Sequence, residues 1–197
     1  YGSESSGSYS TVTGGSSHVA SGEYSTVSGG VNSIASGSRS SVPGGDGASS
    51  VNYGQHAHAS GMFSNYGDAQ GTIQLVARRE ISHATDTGWQ SLYLDGSSAA
   101  ITIPSDSVWA VDILISAADA GLTSRANYRI VGGVANIGGT AQIDAQTVTT
   151  IFETTAGWNV QLAVSGATLL IQVTDGSDTE TIRWVATVRT CDLGYPA

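Results

Sequence analysis

The chain has no lysine, one cysteine (Cys191) and three prolines among its 197 residues. A single cysteine excludes an internal disulfide, a cysteine-based zinc cluster and a CxxC redox motif. All seven basic residues are arginine, against sixteen acidic ones, for a formal net charge of −9. A nucleic-acid surface needs clustered basic residues to neutralise phosphates, and an anionic membrane surface attracts the same residues, so neither partner is expected. No run approaches the roughly 20 apolar residues of a membrane helix, so no membrane insertion is expected either. The chain opens at Tyr1 with no signal peptide, which reads as a fragment or processed product whose upstream domains lie outside it.

What is abundant is glycine and serine, which fill 33 of the first 68 positions. At that density the usual reading is a flexible linker. The spacing argues for an ordered repeat instead. Gly7, Gly22 and Gly37 are 15 residues apart, as are Gly14-Gly15, Gly29-Gly30 and Gly44-Gly45, Val12, Val27 and Val42, and Ser10, Ser25 and Ser40. Each unit splits into two halves of the form G-x-x-[S/A]-x-[V/A]-x-G, and a linker has no reason to hold a valine in phase. Two positions separated by one residue share a strand face. The pairs Ser10/Val12, Ser25/Val27, Ser33/Ala35 and Ser40/Val42 therefore define a narrow inward face, with glycine turning the chain between short strands. Val27 is expected inward and Tyr24 outward.

The half-repeat resembles the head repeat of trimeric autotransporter adhesins of the YadA type, shared by many phage tail fibres and tailspikes. Asn32-Ser33-Ile34-Ala35-Ser36-Gly37 matches it well, and the resemblance covers roughly residues 6–67. It implies a homotrimeric, left-handed parallel β-roll over residues 1–68.

Residues 69–197 read differently. Strands are expected at 71–81, 89–94, 100–103, 108–116, 126–131, 141–152, 159–164, 168–174 and 180–190. Asp95-Gly96, Gly132-Gly133, Gly138-Gly139, Ser165-Gly166 and Asp175-Gly176 are expected as turns, and the 117–121 stretch as one helical turn. This makes the chain all-β, with an antiparallel β-sandwich, jelly-roll-like tip after the roll. It loosely resembles the small sandwich tips of phage fibres. Alternation puts Trp109, Val111, Ile113 and Ile115 on one face and Ile182, Trp184, Ala186 and Val188 on another, so Trp109 and Trp184 are core candidates.

Candidate chemistry is sparse. His56 and His58 stand at metal-ligand spacing, but Ala57 and Ala59 take the inward positions, so no metal is expected. His18 sits inward and reads as a structural histidine. Asp175, Asp178 and Asp119 read as turn residues rather than a calcium site. One of Arg78 and Arg79 is expected to pair with an acidic residue at a subunit boundary. Cys191 has no neighbouring histidine and is not expected to be a nucleophile. No GxSxG, HExxH or GxxxxGK[S/T] motif and no carboxylate pair on one strand face occur, so the chain is not expected to be an enzyme or to carry a cofactor.

The expected function is structural and receptor-binding: the distal part of a homotrimeric phage fibre or spike, on the virion tail, joined to upstream fibre domains and attached to a host-surface glycan. The alternatives are a bacterial surface adhesin head at the cell surface, or a non-catalytic module of a polysaccharide-degrading tailspike. An aromatic platform with a few polar partners is the usual way to hold a glycan. Trp89 and Trp158 each begin a strand after a glycine, and Tyr93 and Tyr128 lie on strand faces. These four, with Asp86 and Asn159 as polar neighbours, are the candidate ligand residues.

Overall fold

The computed structural model describes residues 2–82, 85–154, 156–176 and 180–195, without the side chains of 71–73. Among the described residues every regular element is a strand and there is no helix. Nine short strands occupy the repeats: β1 (Glu4–Ser5), β2 (Thr11–Val12), β3 (Val19–Ala20), β4 (Thr26–Val27), β5 (Ile34–Ala35), β6 (Ser41–Val42), β7 (Gly45–Asp46), β8 (Ser49–Ser50) and β9 (His56–Ser60). They stack as two parallel ladders, β1-β3-β5-β8 and β2-β4-β6-β9. Val19 pairs with Ile34 and Ile34 with Ser49, one repeat apart each time. The result is a β-solenoid of about four turns.

The inward register is the expected one. Ala20, Val27, Ala35, Val42 and Ala57 are fully buried, as are Ser25, Ser33 and Ser50. His18 is buried as well. Its Nδ1 accepts the Ser33 N–H at 3.2 Å and its Nε2 donates to the Gly30 carbonyl at 3.0 Å, so the half-repeat that begins at Gly30, one coil along, fixes the ring and its tautomer. Positive φ recurs on the third residue of each half-repeat, at Tyr9, Ser17, Tyr24, Asn32, Arg39, Gly47 and Gly54, and on the opening glycines Gly15, Gly30 and Gly45. Gly7, Gly22 and Gly37 serve a different need. A Cβ on Gly22 would run into the carbonyl of Gly37, one coil along, and Gly7 stands the same way over Gly22. Outside, the left-handed residues form a column. Tyr9 and Tyr24 stack at 5.0 Å, and the Arg39 guanidinium lies 5.2 Å from the Tyr24 ring and 5.3 Å from that of Tyr53.

Nine further strands follow: β10 (Ala69–Ser82), β11 (Gln90–Leu92), β12 (Ile101–Thr102), β13 (Ser107–Asp119), β14 (Arg125–Ile137), β15 (Thr140–Glu153), β16 (Asn159–Ser165), β17 (Thr168–Thr174) and β18 (Thr181–Gly194). β10 pairs antiparallel with β9 on one side and with β18 on the other. One sheet therefore runs β15-β14-β13-β18-β10-β9-β6-β4-β2, from the far edge into the solenoid wall. The boundary expected after residue 68 falls between β9 and β10, and the ladder passes across it. A smaller sheet of β11, β12, β16 and β17 faces the long one. Leu92, Ile101, Val160, Leu162 and Ile171 from the small sheet share a buried cluster with Trp109, Ile113, Ile130, Trp184 and Val188 from the long one.

Two local expectations are corrected. Gly132-Gly133 is no turn, because β14 runs straight through it. A Cβ on Gly132 would meet the Ala145 carbonyl of β15, and the register shifts at Gly133/Val134, so glycine here marks close approach and a bulge. The actual turn is Gly138-Gly139, both at positive φ, in the two-residue hairpin between Ile137 and Thr140. Residues 117–119 extend β13 instead of forming a helical turn. The Asp119 carboxylate accepts the Thr123 and Ser124 N–H groups and the Thr123 hydroxyl, which closes the following loop.

Candidate functional site

The structure divides the six candidate ligand residues. Tyr128 and Trp158 are core residues, and this corrects the reading of them as an exposed platform. Tyr128 belongs to the inward set Ala126, Tyr128 and Ile130, and Trp158 to the inward set Trp158, Val160 and Leu162. Their rings pack on Trp184, at 6.4 Å and 5.4 Å between centroids, and the Tyr128 hydroxyl donates to the Trp158 carbonyl at 3.2 Å. Burial, and then the nearby Glu153, hold the Tyr128 phenol above its ordinary range. Asn159 is exposed at the start of β16, where the register sets it across β17 from Gln90.

Asp86, Trp89 and Tyr93 lie on one segment, 86–93, that folds back along β10. The Arg79 guanidinium donates to the Asp86 carboxylate at 3.0 Å, and the other Asp86 oxygen accepts the Ser82 N–H at 3.1 Å. Arg78 and Tyr93 form an isolated antiparallel bridge, with Arg78 N–H donating to the Tyr93 carbonyl at 2.9 Å. Trp89 is 44% exposed beside this anchor, and Tyr93 is half-buried. Arg78 and Arg79 thus spend their donors within the chain: Arg78 on the carbonyls of Leu94 and Asp95, Arg79 on Asp86 and the Ser91 carbonyl. Asp95 braces the next loop. Its Oδ1 accepts the N–H groups of Ser98, Ala99 and Ser97, which hold its carboxyl well below the usual range.

Next to this segment lies an open groove of about 520 Å³ lined by Arg78, Arg79, Glu80, Ala117, Trp184 and their neighbours. Its lining is mostly apolar, and two of its three arginines are paired with carboxylates while the Arg78 guanidinium is bound to the carbonyls of Leu94 and Asp95. Arg183 donates to Glu80 at 2.7 Å, as Arg79 does to Asp86.

Solved structures similar to the chain include phage tailspikes. One is the tailspike protein of Acinetobacter baumannii phage AM24, at 11% identity and a TM-score of 0.36, covering 88% of this chain and 34% of that one. Another is the tailspike protein gp49 from A. baumannii bacteriophage Fri1, a capsular polysaccharide depolymerase, at 14% identity and a TM-score of 0.33, covering 91% of this chain and 35% of that one. The chain spans about a third of the length of these proteins. At these TM-scores the likeness establishes neither a shared fold nor a shared activity. No family model and no curated protein matches the chain.

His56 and His58 point outward from β9 while Ala57 and Ala59 are buried. Among the described residues no three His, Cys, Asp or Glu side chains gather to hold a metal. Asp178 lies outside the described residues. Cys191 is exposed on the outer face of β18, opposite Ala110.

A second cavity, missed by the sequence reading, opens where the last coil meets the long sheet. It encloses about 180 Å³ between the last coil, the 61–68 loop, the 104–109 corner and the end of β18. Asp192 is buried in its wall and accepts a hydrogen bond from Gln70 Nε2 at 3.2 Å. Burial pushes the Asp192 carboxyl up to about 6, against the lowering effect of Gln70 and Trp109. Asp68 lines the same cavity. Burial raises its pKa, but the N–H groups of Asn65, Ser64 and Phe63 outweigh this and hold it below the ordinary carboxylate value. No local motif announces this cavity, because its walls come from residues 49 to 194.

Proposed function

We propose that the chain is the receptor-binding part of a homotrimeric phage tail fibre or spike, carried on the virion tail, that attaches to a host-surface glycan without cleaving it. In this reading residues 1–68 are a left-handed roll that joins upstream fibre domains, and residues 69–197 are a jelly-roll-like tip.

One observation carries the assembly. β15 is a 14-residue edge strand exposed on both faces for most of its length, with Val148, Ile151 and Phe152 open to solvent. The adjoining outer sheet face adds Val108, Leu114, Val131 and Val185, all exposed. A long unpaired edge beside an apolar face is a pairing hazard in a monomer and an interface in an oligomer. The solenoid interior is built from serine, alanine and valine, so one roll buries little apolar surface and gains from being packed against others.

The glycan-facing residues in this reading are Trp89, Tyr93 and Asp86, beside the apolar groove, with Asn159 as an exposed amide across β17. An attachment role fits this surface better than hydrolysis. Among the described residues at the groove, Glu80 and Asp86 are both tied to arginines, which leaves no free acid–base pair there.

Assembly is read by sedimentation velocity on the purified chain. The expected species contains three 20.0-kDa chains and persists on dilution. Val148→Asp with Ile151→Asp is expected to shift it toward monomer. A wild-type chain that sediments as a folded monomer contradicts the trimer.

A further inference from the structure

We propose that the copies of this chain join by seating β15 of one in a trough on the outer sheet face of the next, with Asp144 of β15 paired to Arg189 of the partner subunit. This rests on the trimer reading and names the two surfaces that meet.

The arginines point to the contact. Arg39 lies between the rings of Tyr24 and Tyr53, and Arg125 lies over Phe152. Arg78 holds the carbonyls of Leu94 and Asp95, while Arg79, Arg129 and Arg183 pair with Asp86, Asp112 and Glu80. Arg189 is exposed and makes no hydrogen bond, ion pair or ring contact among the described residues. Asp112 stands opposite it on β13, but both Asp112 oxygens are taken by Arg129, at 2.7 and 2.8 Å. In a chain of net charge −9, a guanidinium without a carboxylate is the exception.

The surroundings of Arg189 are those of a covered face. Val108, Leu114, Val131 and Leu193 are exposed on the same side of the long sheet. Two residues further along β18, Cys191 opens into a hollow of about 580 Å³ lined also by Met62, Phe63, Ala69 and Leu193. Phe63 is 76% exposed at its rim, and its N–H donates to Asp68 Oδ1 at 2.9 Å, which fixes the loop that carries it.

β15 carries the complement. Val148, Ile151 and Phe152 are exposed on it, and so is Asp144, whose carboxylate accepts a hydrogen bond only from Gln142 Nε2 among the described residues. Asp144 is the extra residue of the bulge beside Gly133, and a Cβ on Gly133 would lie 3.9 Å from the Asp144 Cβ, so both face the outer side. Gly133 pairs with Ala110 and Ala110 with Cys191, which puts Asp144 three strand spacings, about 14 Å, from β18. The two charges cannot meet within one chain. In a closed ring each copy offers its trough to one neighbour and its β15 edge to the other, so every Arg189 finds a carboxylate. An arginine–carboxylate pair covered by apolar side chains also fixes the orientation of the joined copies.

The test is subunit exchange between unlabelled and ¹⁵N-labelled trimers of the full chain, followed by native mass spectrometry. Arg189→Glu and Asp144→Arg are each expected to speed exchange at least about tenfold, and the double variant to return it to within about threefold of the parent. Arg189→Gln removes the charge without placing an acid beside Asp112, and is expected to act in the same direction. Cys191 supplies a second readout, because the trough covers it. It is expected to react with a maleimide at least about tenfold more slowly in the wild-type trimer than in Val148→Asp with Ile151→Asp. A trimer whose exchange is unchanged by Arg189→Gln and Arg189→Glu overturns the proposal and leaves the trimer standing. So does a double variant that exchanges as fast as the single ones, or a trimer whose Cys191 reacts as fast as in the β15 variant. A wild-type chain that is monomeric overturns both readings.

Discussion

Gly22→Ala is expected to unfold the solenoid, while Gly29→Ala, seven residues further on, is expected to be nearly silent. A Cβ on Gly22 would overlap the Gly37 carbonyl oxygen and come within 2.9 Å of the Ser36 carbonyl oxygen. Both neighbours are backbone held in the parallel ladders, so neither can swing away. A Cβ on Gly29 meets nothing within 4 Å, and its φ is one that alanine adopts freely. The first substitution should cost at least ~3 kcal/mol and the second less than about 0.5 kcal/mol. Thermal unfolding followed by circular dichroism reads both. Equal effects would mean that the coils do not stack with Gly22 over Gly37.

Asp192→Asn is expected to stabilise the protein at pH 7.5 and to remove much of its pH dependence between pH 5 and 7. The Asp192 carboxyl is raised to about 6 in the folded chain from an ordinary value of 3.8. Between those values the folded state holds a proton that the unfolded state has released. Stability is therefore highest at the acid end of this window and falls as pH rises through about 6. A displacement of about two pH units corresponds to about 3 kcal/mol. Asparagine keeps the shape and the acceptor for Gln70 without the buried charge. The carboxyls held low, among them Asp95, Asp112 and Asp119, act the other way and lose their contribution only below the ordinary carboxylate value. Chemical denaturation of both proteins at pH 5 and 7.5 isolates Asp192 as the difference between them. A variant less stable than the parent at pH 7.5 would show that the carboxylate is not desolvated as described.

The solenoid was legible because its constraint is local and repeats. A 15-residue period puts Ser25 and Val27, then Ser40 and Val42, on one inward face. The roles of its glycines were legible only in part. Gly15 and Gly30 take positive φ as expected, but Gly7, Gly22 and Gly37 are required by the coil stacked next to them, a contact no single repeat displays. All nine strands beyond residue 68 were also legible, from alternation and turn residues. Tyr128 and Trp158 were misread although the same alternation contains them, through Ala126/Tyr128/Ile130 and Trp158/Val160/Leu162. The apolar neighbours two residues away decide their burial, and the position at a strand start or face does not. The continuous sheet and the Asp192 cavity left no trace in sequence spacing, because they bring together β9 with β10, and Ser49 with Gln70 and Asp192.

The attachment account is tested most directly by binding of the folded, purified chain to an array of bacterial surface glycans, with the eluate assayed for released oligosaccharide. The account predicts retention on a subset of uncharged glycans, loss of that retention in Trp89→Ala with unchanged sedimentation, and no release of sugar. A folded chain that binds no glycan on the array, or one that cleaves the glycans it meets, would contradict it.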